Sequence, residues 1–316
     1  MISSDRRAAD LWAITSYFNP AGYRRRLVNY RIFRERFTLP LVAVELAYGP
    51  AFELQKTDAD ILVQLRGGDV LWQKERLLNV GLGALPQTCR KVVSVDCDIV
   101  FESDDWAARV SHMLDRFPLG QTFSHAHFMP RDWKLGESRR VGAEFTSPSI
   151  AFAAASGLPV SASLSAIKIG EHPEYATGFS WAARREFIHQ YGFYDGCIIG
   201  GGDRALASAA YGCFDHVIKR FHMNDRAKAH YLAWAEPFHN AAAGTAGFID
   251  GDIYHLWHGE IRDRHYGERM RFLAPFDFDP FEDIVIGDNG CWRWNTEKPQ
   301  MHEYVRKYFA SRKEDG

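Results

Sequence analysis

The sequence has 316 residues, of which 46% are hydrophobic and 25% charged, with a formal net charge of −2. This is enough material for a sizeable buried core, and it suits one large α/β domain or two smaller ones. So small a net charge supplies no global field to recruit nucleic acid or a membrane surface.

In chain order, residues 11–16 read as a strand, ended by the turn chemistry of Tyr17-Phe18-Asn19-Pro20-Ala21-Gly22. Residues 23–37 read as a helix crowded with arginine. Arg24, Arg25 and Arg26 could meet phosphates there, and a solvated helix face is the plainer reading. Residues 41–46 form a second predicted strand with Glu45 near its end, and residues 60–65 a third, followed by Arg66-Gly67-Gly68-Asp69. The glycine pair allows a sharp turn and a close approach to a ligand. Asp69 is placed to cap a helix over residues 70–85. Lys74 and Arg76 lie in its first turns, where each either reaches a diphosphate or faces solvent.

Residues 91–95 are a short β-branched strand, and Asp96-Cys97-Asp98 follows at once. Charge concentrated where an apolar run stops is costly unless something compensates it. Open α/β sheets bind ligands at the carboxyl ends of their strands, so the pair predicts a divalent cation site. The plainer alternative is two capping or solvated carboxylates. The alternation of strand and helix up to this point predicts a mostly parallel sheet with helices on both faces.

Ser103 or Asp104 is placed to cap a helix bearing Trp106, Val110, Met113, Leu114 and Phe117 on one side, and residues 120–125 read as a fifth strand. The pattern then lapses over residues 130–149, which read as a long loop. Residues 178–182 read as a strand and 184–191 as a helix stopped by Gly192. Gly200-Gly201-Gly202-Asp203 opens another helix. The glycines either bring the Asp203 carboxylate close to a ligand or precede a plain N-cap. Further on, His255 and His258 precede Gly259. On one strand they point to opposite faces, so only one is expected in a given site. Residues 297–312 read as a C-terminal helix whose Met301, Tyr304, Tyr308 and Phe309 pack back on the body.

Five cysteines, at positions 89, 97, 197, 213 and 291, form no C-x-x-C pair, which argues for a reducing, cytoplasmic setting. No signal peptide is visible, and the longest uncharged run, residues 145–167, holds Pro148, Gly157 and Pro159. It reads as packed helix or loop, so no transmembrane segment is expected. Aromatic residues make up 14% of the chain, nine of them Trp; most are core, and a surplus also suits sugar binding.

Gln73-Lys74-Glu75-Arg76-Leu77-Leu78-Asn79-Val80-Gly81, a strand and then Asp96-Cys97-Asp98 resemble the β-1,4-galactosyltransferase-type GT-A glycosyltransferases. In that family a K-L-L-N-V-G helix precedes a D-V-D strand end. Residues 178–203 are similar to the family's next block, a strand, a helix ending in Gly-Phe and a Gly-rich turn with acids. The resemblance spans roughly residues 11–257 and is specific over 74–101 and 175–206. It departs from the family where W-G-G-E-D-D becomes Ile199-Gly200-Gly201-Gly202-Asp203-Arg204, so the family's sugar specificity does not carry over. Neither the family's membrane anchor nor its disulfides are visible in the sequence, so a soluble, bacterial relative is expected.

The resemblance implies a single GT-A domain, Rossmann-like, over residues 1–316. Residues 10–120 would be the nucleotide-binding half, 121–290 the acceptor-binding half and 291–316 the C-terminal helix. It implies metal-dependent transfer of a sugar from a nucleotide-diphosphate donor, UDP-linked, to a carbohydrate or glycoconjugate hydroxyl with inversion. Asp96, Asp98 and His258 would hold Mn²⁺ or Mg²⁺. His258 is preferred to His255 because it adjoins Gly259 and precedes the basic stretch Arg262-Asp263-Arg264, as in the family. Thr15, Tyr17, Glu45, Arg66, Lys74 and Asp96 would bind the donor, and Asp203 matches the family's catalytic acid, here the general base. Two rivals stand beside this. Asp96-Cys97-Asp98-Ile99-Val100 also fits the nucleophile strand of haloacid-dehalogenase-like phosphatases, though Ala207 stands where their late second acid is wanted. A non-catalytic nucleotide-sugar-binding protein is the other.

Overall fold

The computed structural model describes residues 9–134, 142–166 and 174–316. Its first third follows the predicted alternation: β1 (Leu11–Phe18), α1 (Arg24–Arg36), β2 (Leu41–Ala47), β3 (Ile61–Arg66), α2 (Lys74–Ala84) and β4 (Lys91–Val95). β1 pairs in parallel with both β2 and β4, and β2 with β3. β1 and β2 are near-continuous apolar runs because both faces of the sheet are covered. Successive side chains go to opposite sides. Leu11 and Ala13 join a core with Tyr30 and Phe33 of α1, while Trp12 and Ile14 join one with Leu77, Leu78 and Leu82 of α2. Gly81 lets α2 sit close to the sheet, since a Cβ there would lie 3.3 Å from Val44 Cγ2.

The remaining elements are β5 (Ile99–Phe101), α3 (Trp106–Arg116), β6 (Leu119–Gln121), β7 (His125–Phe128), β8 (Phe145–Pro148), α4 (Ile150–Ala155) and α5 (Val160–Ser165). They continue with β9 (Ser180–Arg184), α6 (Arg185–Tyr191), α7 (Gly202–Ala210), α8 (Phe214–Arg220), α9 (Asp225–Ala242), β10 (Gly247–Phe248) and β11 (Asp252–His255). The last are α10 (Arg269–Leu273), β12 (Ile284–Ile286), β13 (Trp292–Trp294) and α11 (Pro299–Ser311). Among the described residues the main sheet runs β10-β6-β9-β4-β1-β2-β3, parallel except for β9, which is antiparallel to β4 and β6. This is the predicted α/β class with a mostly parallel central sheet.

A second sheet, β5-β11-β7-β8, starts directly after the Asp96–Asp98 turn. β11 pairs antiparallel to β5 with His255 opposite Ile99, and Leu256 N donates to Asp98 O at 2.8 Å. That register brings the end of β11 onto the turn after β4. The predicted strand over 120–125 therefore divides between two sheets, β6 in one and β7 in the other. The predicted loop over 130–149 ends in β8, and its residues 135–141 lie outside the described residues.

Two predicted caps are not formed. α2 begins at Lys74, and Asp69 Oδ2 instead accepts from Trp294 N at 2.8 Å. Asp105, not Ser103 or Asp104, holds the N-cap position of α3. Among the described residues no helix is long and apolar enough to cross a membrane.

Candidate active site

The carboxyl end of β4 opens into a cleft of about 210 Å³. A neighbouring cleft of about 410 Å³ shares Phe128, His255, His258, Arg264 and Tyr266 with it. Together they fall in the range of about 300–1,000 Å³ usual for small-molecule sites.

Asp98, His255 and His258 each turn one ligand atom to a common point, with all three atoms within 4.8 Å of one another. Asp98 Oδ2 lies 3.1 Å from His258 Nε2 and 4.0 Å from His255 Nε2. The expectation that only one histidine could take part is corrected here. β11 ends at His255, so the two-residue alternation that would separate the rings no longer applies at His258. The donor set fits a divalent metal. Asp98 Oδ1 is buried without a hydrogen-bond partner among the described residues. Burial, aided by Arg264, lowers the His258 pKa against the pull of Asp98 and Glu314, which keeps a nitrogen lone pair available at neutral pH. Two imidazoles and a carboxylate suit Mn²⁺ among other first-row ions. His258 is backed by Glu314, whose Oε1 lies 3.7 Å from Nδ1, an outer contact of the kind that orients metal ligands.

Asp96 turns elsewhere. Lys74 Nζ lies 2.6 Å from Asp96 Oδ1 and 2.9 Å from both oxygens of Asp203, tying the end of β4 to the start of α7. Burial alone would favour the neutral amine, but Asp203, Asp96 and Glu75 hold the Lys74 pKa well above its ordinary value. Burial pushes the Asp96 carboxyl upward; Lys74 opposes this, and the charges of Asp203 and Asp98 add to it. Asp203 keeps 37% of its side chain exposed, so it remains open to the cleft. Gly178 gives it room, since a Cβ there would lie 2.7 Å from Asp203 Oδ2. Beneath it Glu75 is buried with Oε1 unpartnered among the described residues, and burial pushes that carboxyl upward. Glu75 packs against Gly202, where any Cβ would collide with its carboxylate.

The cleft is lined by seven cationic side chains, Arg26, Lys74, Arg204, Arg220, Arg264, Arg269 and Arg312, against Asp96, Asp98 and Asp203. Arg26 is not on a solvated face. Its Nε and Nη2 donate to Glu314 at 2.6 and 2.9 Å, and Arg312 Nε donates to the same carboxylate at 2.5 Å. Burial would raise the Glu314 pKa, but Arg26 and Arg312 hold it well below the usual range.

Of the expected site residues, Lys74, Asp96, Asp98, Asp203 and His258 line this one cleft, and Thr15, Tyr17, Glu45 and Arg66 do not. Thr15 is buried and its hydroxyl donates to Val95 O at 2.7 Å. Tyr17 OH donates to Glu53 at 2.6 Å. Glu45 is buried and accepts from the amides of Glu53 and Leu54 and from Gln64. Arg66 donates to the carbonyls of Gly49 and Pro50 and stacks over Phe52. The sequence did not single out Arg204, Arg220, Arg269, Arg312 or Glu314. Arg204 adjoins Asp203, a signal that was available; Arg220, Arg269 and Arg312 reach the cleft, and Glu314 reaches Arg26 and His258, through long-range packing alone.

No protein-family model matches the sequence, and no curated protein matches it. Similar solved structures include Staphylococcus aureus TarS with UDP-GlcNAc, 12% identical, covering 64% of this chain and 52% of that one with a TM-score of 0.33. Drosophila β-1,4-galactosyltransferase 7 with manganese, UDP-Gal and xylobiose is 12% identical, covering 63% and 60% with a TM-score of 0.29. Mycobacterium tuberculosis glucosyl-3-phosphoglycerate synthase with Mn²⁺, UDP and phosphoglyceric acid is 12% identical, covering 86% and 78% with a TM-score of 0.38. The chain thus spans a little over half the length of the first two. At such scores the similarities carry no weight for its chemistry.

Proposed function

We propose that this chain is a metal-dependent glycosyltransferase of the GT-A type, moving a sugar from a UDP-linked donor to an acceptor hydroxyl with inversion. The observation that carries the reading is the meeting of Asp98, His255 and His258 at the carboxyl end of β4, in the cleft that Asp203 and Lys74 share. A metal-binding group, an exposed carboxylate and a strongly cationic lining are what transfer from a diphosphate-linked sugar requires.

Mn²⁺ or Mg²⁺ held by Asp98, His255 and His258, with Asp96 beside them, would neutralise diphosphate charge. Asp203 takes the proton of the acceptor hydroxyl. The acceptor oxygen bonds to the anomeric carbon as the bond from that carbon to the diphosphate oxygen breaks, its electron pair leaving with the nucleotide. Inversion follows from that single displacement. Lys74 holds Asp203 in place, and its charge, with that of Arg26, Arg264 and Arg312, favours the departing diphosphate. Thr15 ties β1 to the end of β4, and Tyr17, Glu45 and Arg66 hold the segment between β2 and β3, so their part in donor binding would be to shape that edge of the site. Five cysteines that stay free fit a cytoplasmic setting. The phosphatase alternative is not favoured, since Asp96 is tied to Lys74 and Ala207 replaces the late acid.

Thermal melting with UDP, Mn²⁺ and both together tests the reading. UDP with Mn²⁺ should raise Tm well beyond either alone, because a ligand that binds only the folded state stabilises it. Equal stabilisation by UDP in EDTA would sink the metal assignment, and absence of sugar transfer across a panel of nucleotide sugars would sink the enzyme.

A further inference from the structure

Three helices bring a guanidinium each to one wall of the cleft: Arg204 in the first turn of α7, Arg220 at the end of α8 and Arg269 at the start of α10. Among the described residues, none of the three has a carboxylate within 4.0 Å. Arg204 is buried, and its Nη1 donates to Leu164 O at 2.5 Å and to His216 Nε2 at 3.2 Å. His216 brings no negative charge. Burial, with Arg204 and Arg220, pushes its pKa down to about 4, so it accepts as a neutral ring. Arg220 Nη2 donates to Tyr266 O at 3.4 Å. Arg269 is buried, stacks over Tyr266 and Tyr308, donates to Tyr308 OH and leaves Nε without a partner.

Of the other cleft arginines, Arg26 and Arg312 share Glu314, and Arg264, beside the metal-binding group, donates to His258 O at 3.1 Å. Like charges taken out of water without a counter-ion are costly, and here burial followed by Arg220 and Arg269 pulls the Arg204 pKa down to about 10. Gly200, at a φ of +87°, keeps the approach clear, since a Cβ there would lie 3.3 Å from Arg269 Nη2. Three planar forks on one wall match the oxygens of a tetrahedral or planar oxyanion. The wall adjoins Asp203, the residue next to Arg204, whereas the metal-binding group belongs to the β4 and β11 ends.

We infer that Arg204, Arg220 and Arg269 form an anion subsite, separate from that of the donor diphosphate, which holds a phosphate, sulfate or carboxylate carried by the acceptor. This rests on Asp203 being the acceptor-side base. An acceptor anchored there presents a nearby hydroxyl to Asp203.

Inorganic sulfate is the probe, titrated calorimetrically into the protein alone and into protein saturated with UDP and Mn²⁺. Saturable one-to-one sulfate binding is expected in both. Arg204→Met and Arg220→Gln should each weaken it about tenfold or more, the scale of losing a charge-assisted hydrogen bond, with UDP affinity unchanged. Arg220 is only partly buried, so Arg220→Gln carries the test if Arg204→Met does not fold. Displacement of sulfate by UDP, or an equal loss of UDP affinity in the variants, would assign the cluster to the donor and overturn the proposal. Sulfate binding that fails to saturate would overturn it as well. Loss of UDP binding alone, with sulfate binding intact, would instead sink the transferase reading and leave the anion site standing.

Discussion

The Nε2 atoms of His255 and His258 lie 3.0 Å apart, and both face Asp98. Two imidazole nitrogens turned toward one point can share at most one proton between them, and a metal ion satisfies both lone pairs. His255→Ala and His258→Ala should therefore each weaken Mn²⁺ binding, by at least the roughly 10–100-fold that losing even an outer-sphere partner costs. Calorimetry in the presence of UDP measures this. An unchanged Mn²⁺ affinity in either variant would remove that histidine from the site.

Asp203→Asn keeps the size of the side chain and removes most of its basicity. Sugar transfer should fall by about two to four powers of ten, while UDP and Mn²⁺ affinities stay near wild type. Gly201, not Asp203, holds the N-cap of α7, so if Asp203 served only to favour the helix start from its first turn, the variant would lose about 0.3–1 kcal/mol of stability and keep its turnover. Single-turnover transfer beside equilibrium nucleotide binding separates the two.

Glu314 should make the fold sensitive to acid. Its folded pKa sits well below the ordinary 4.5, because Arg26 and Arg312 outweigh the effect of burial. A depressed folded value means the stabilisation is fully present above 4.5 and drains away as pH falls from there through the folded pKa. Glu314→Gln should flatten that acid limb and cost about 3 kcal/mol at neutral pH, by leaving two guanidiniums without their shared counter-ion. Urea midpoints across the acid range test it. An acid limb with the same slope in both proteins would place the titrating group elsewhere.

Gly202 and Glu75 should be coupled. A methyl at Gly202 collides with the Glu75 carboxylate, so Gly202→Ala is expected to cost about 1–3 kcal/mol. Adding Gly202→Ala to Glu75→Ala should cost much less, with an interaction of about 0.5–3 kcal/mol in the double-mutant cycle. Simple additivity would mean that the two do not meet.

Much of this was legible from local pattern. β1 to β4 and their helices declare themselves by period and by β-branched composition, and the Asp96–Asp98 pair stands where a parallel sheet exposes its strand ends. The direction of β9 was not, because a strand's residues carry no mark of the way it runs relative to its neighbour. His255 was misjudged because the alternation rule presumes a strand that continues, and β11 stops at that residue. Arg26 lies in an arginine-crowded helix, and only its pairing with Glu314, 288 positions away, turns it inward. Such pairings have no signature within a sequence window.

That same pairing bears on when the site can exist during synthesis. β1 to β4 and α2 can associate once the first hundred or so residues are out, since all of their pairings with one another lie within residues 11–95. Arg26 cannot meet its counter-ion until Glu314 has followed 288 residues behind it. A nascent chain stalled before that point would hold a formed sheet and the carboxylates of β4, yet Arg26 would have no counter-ion and His258 no outer carboxylate. Ribosome-bound chains of increasing length should thus acquire protease resistance in the sheet well before they acquire affinity for the nucleotide.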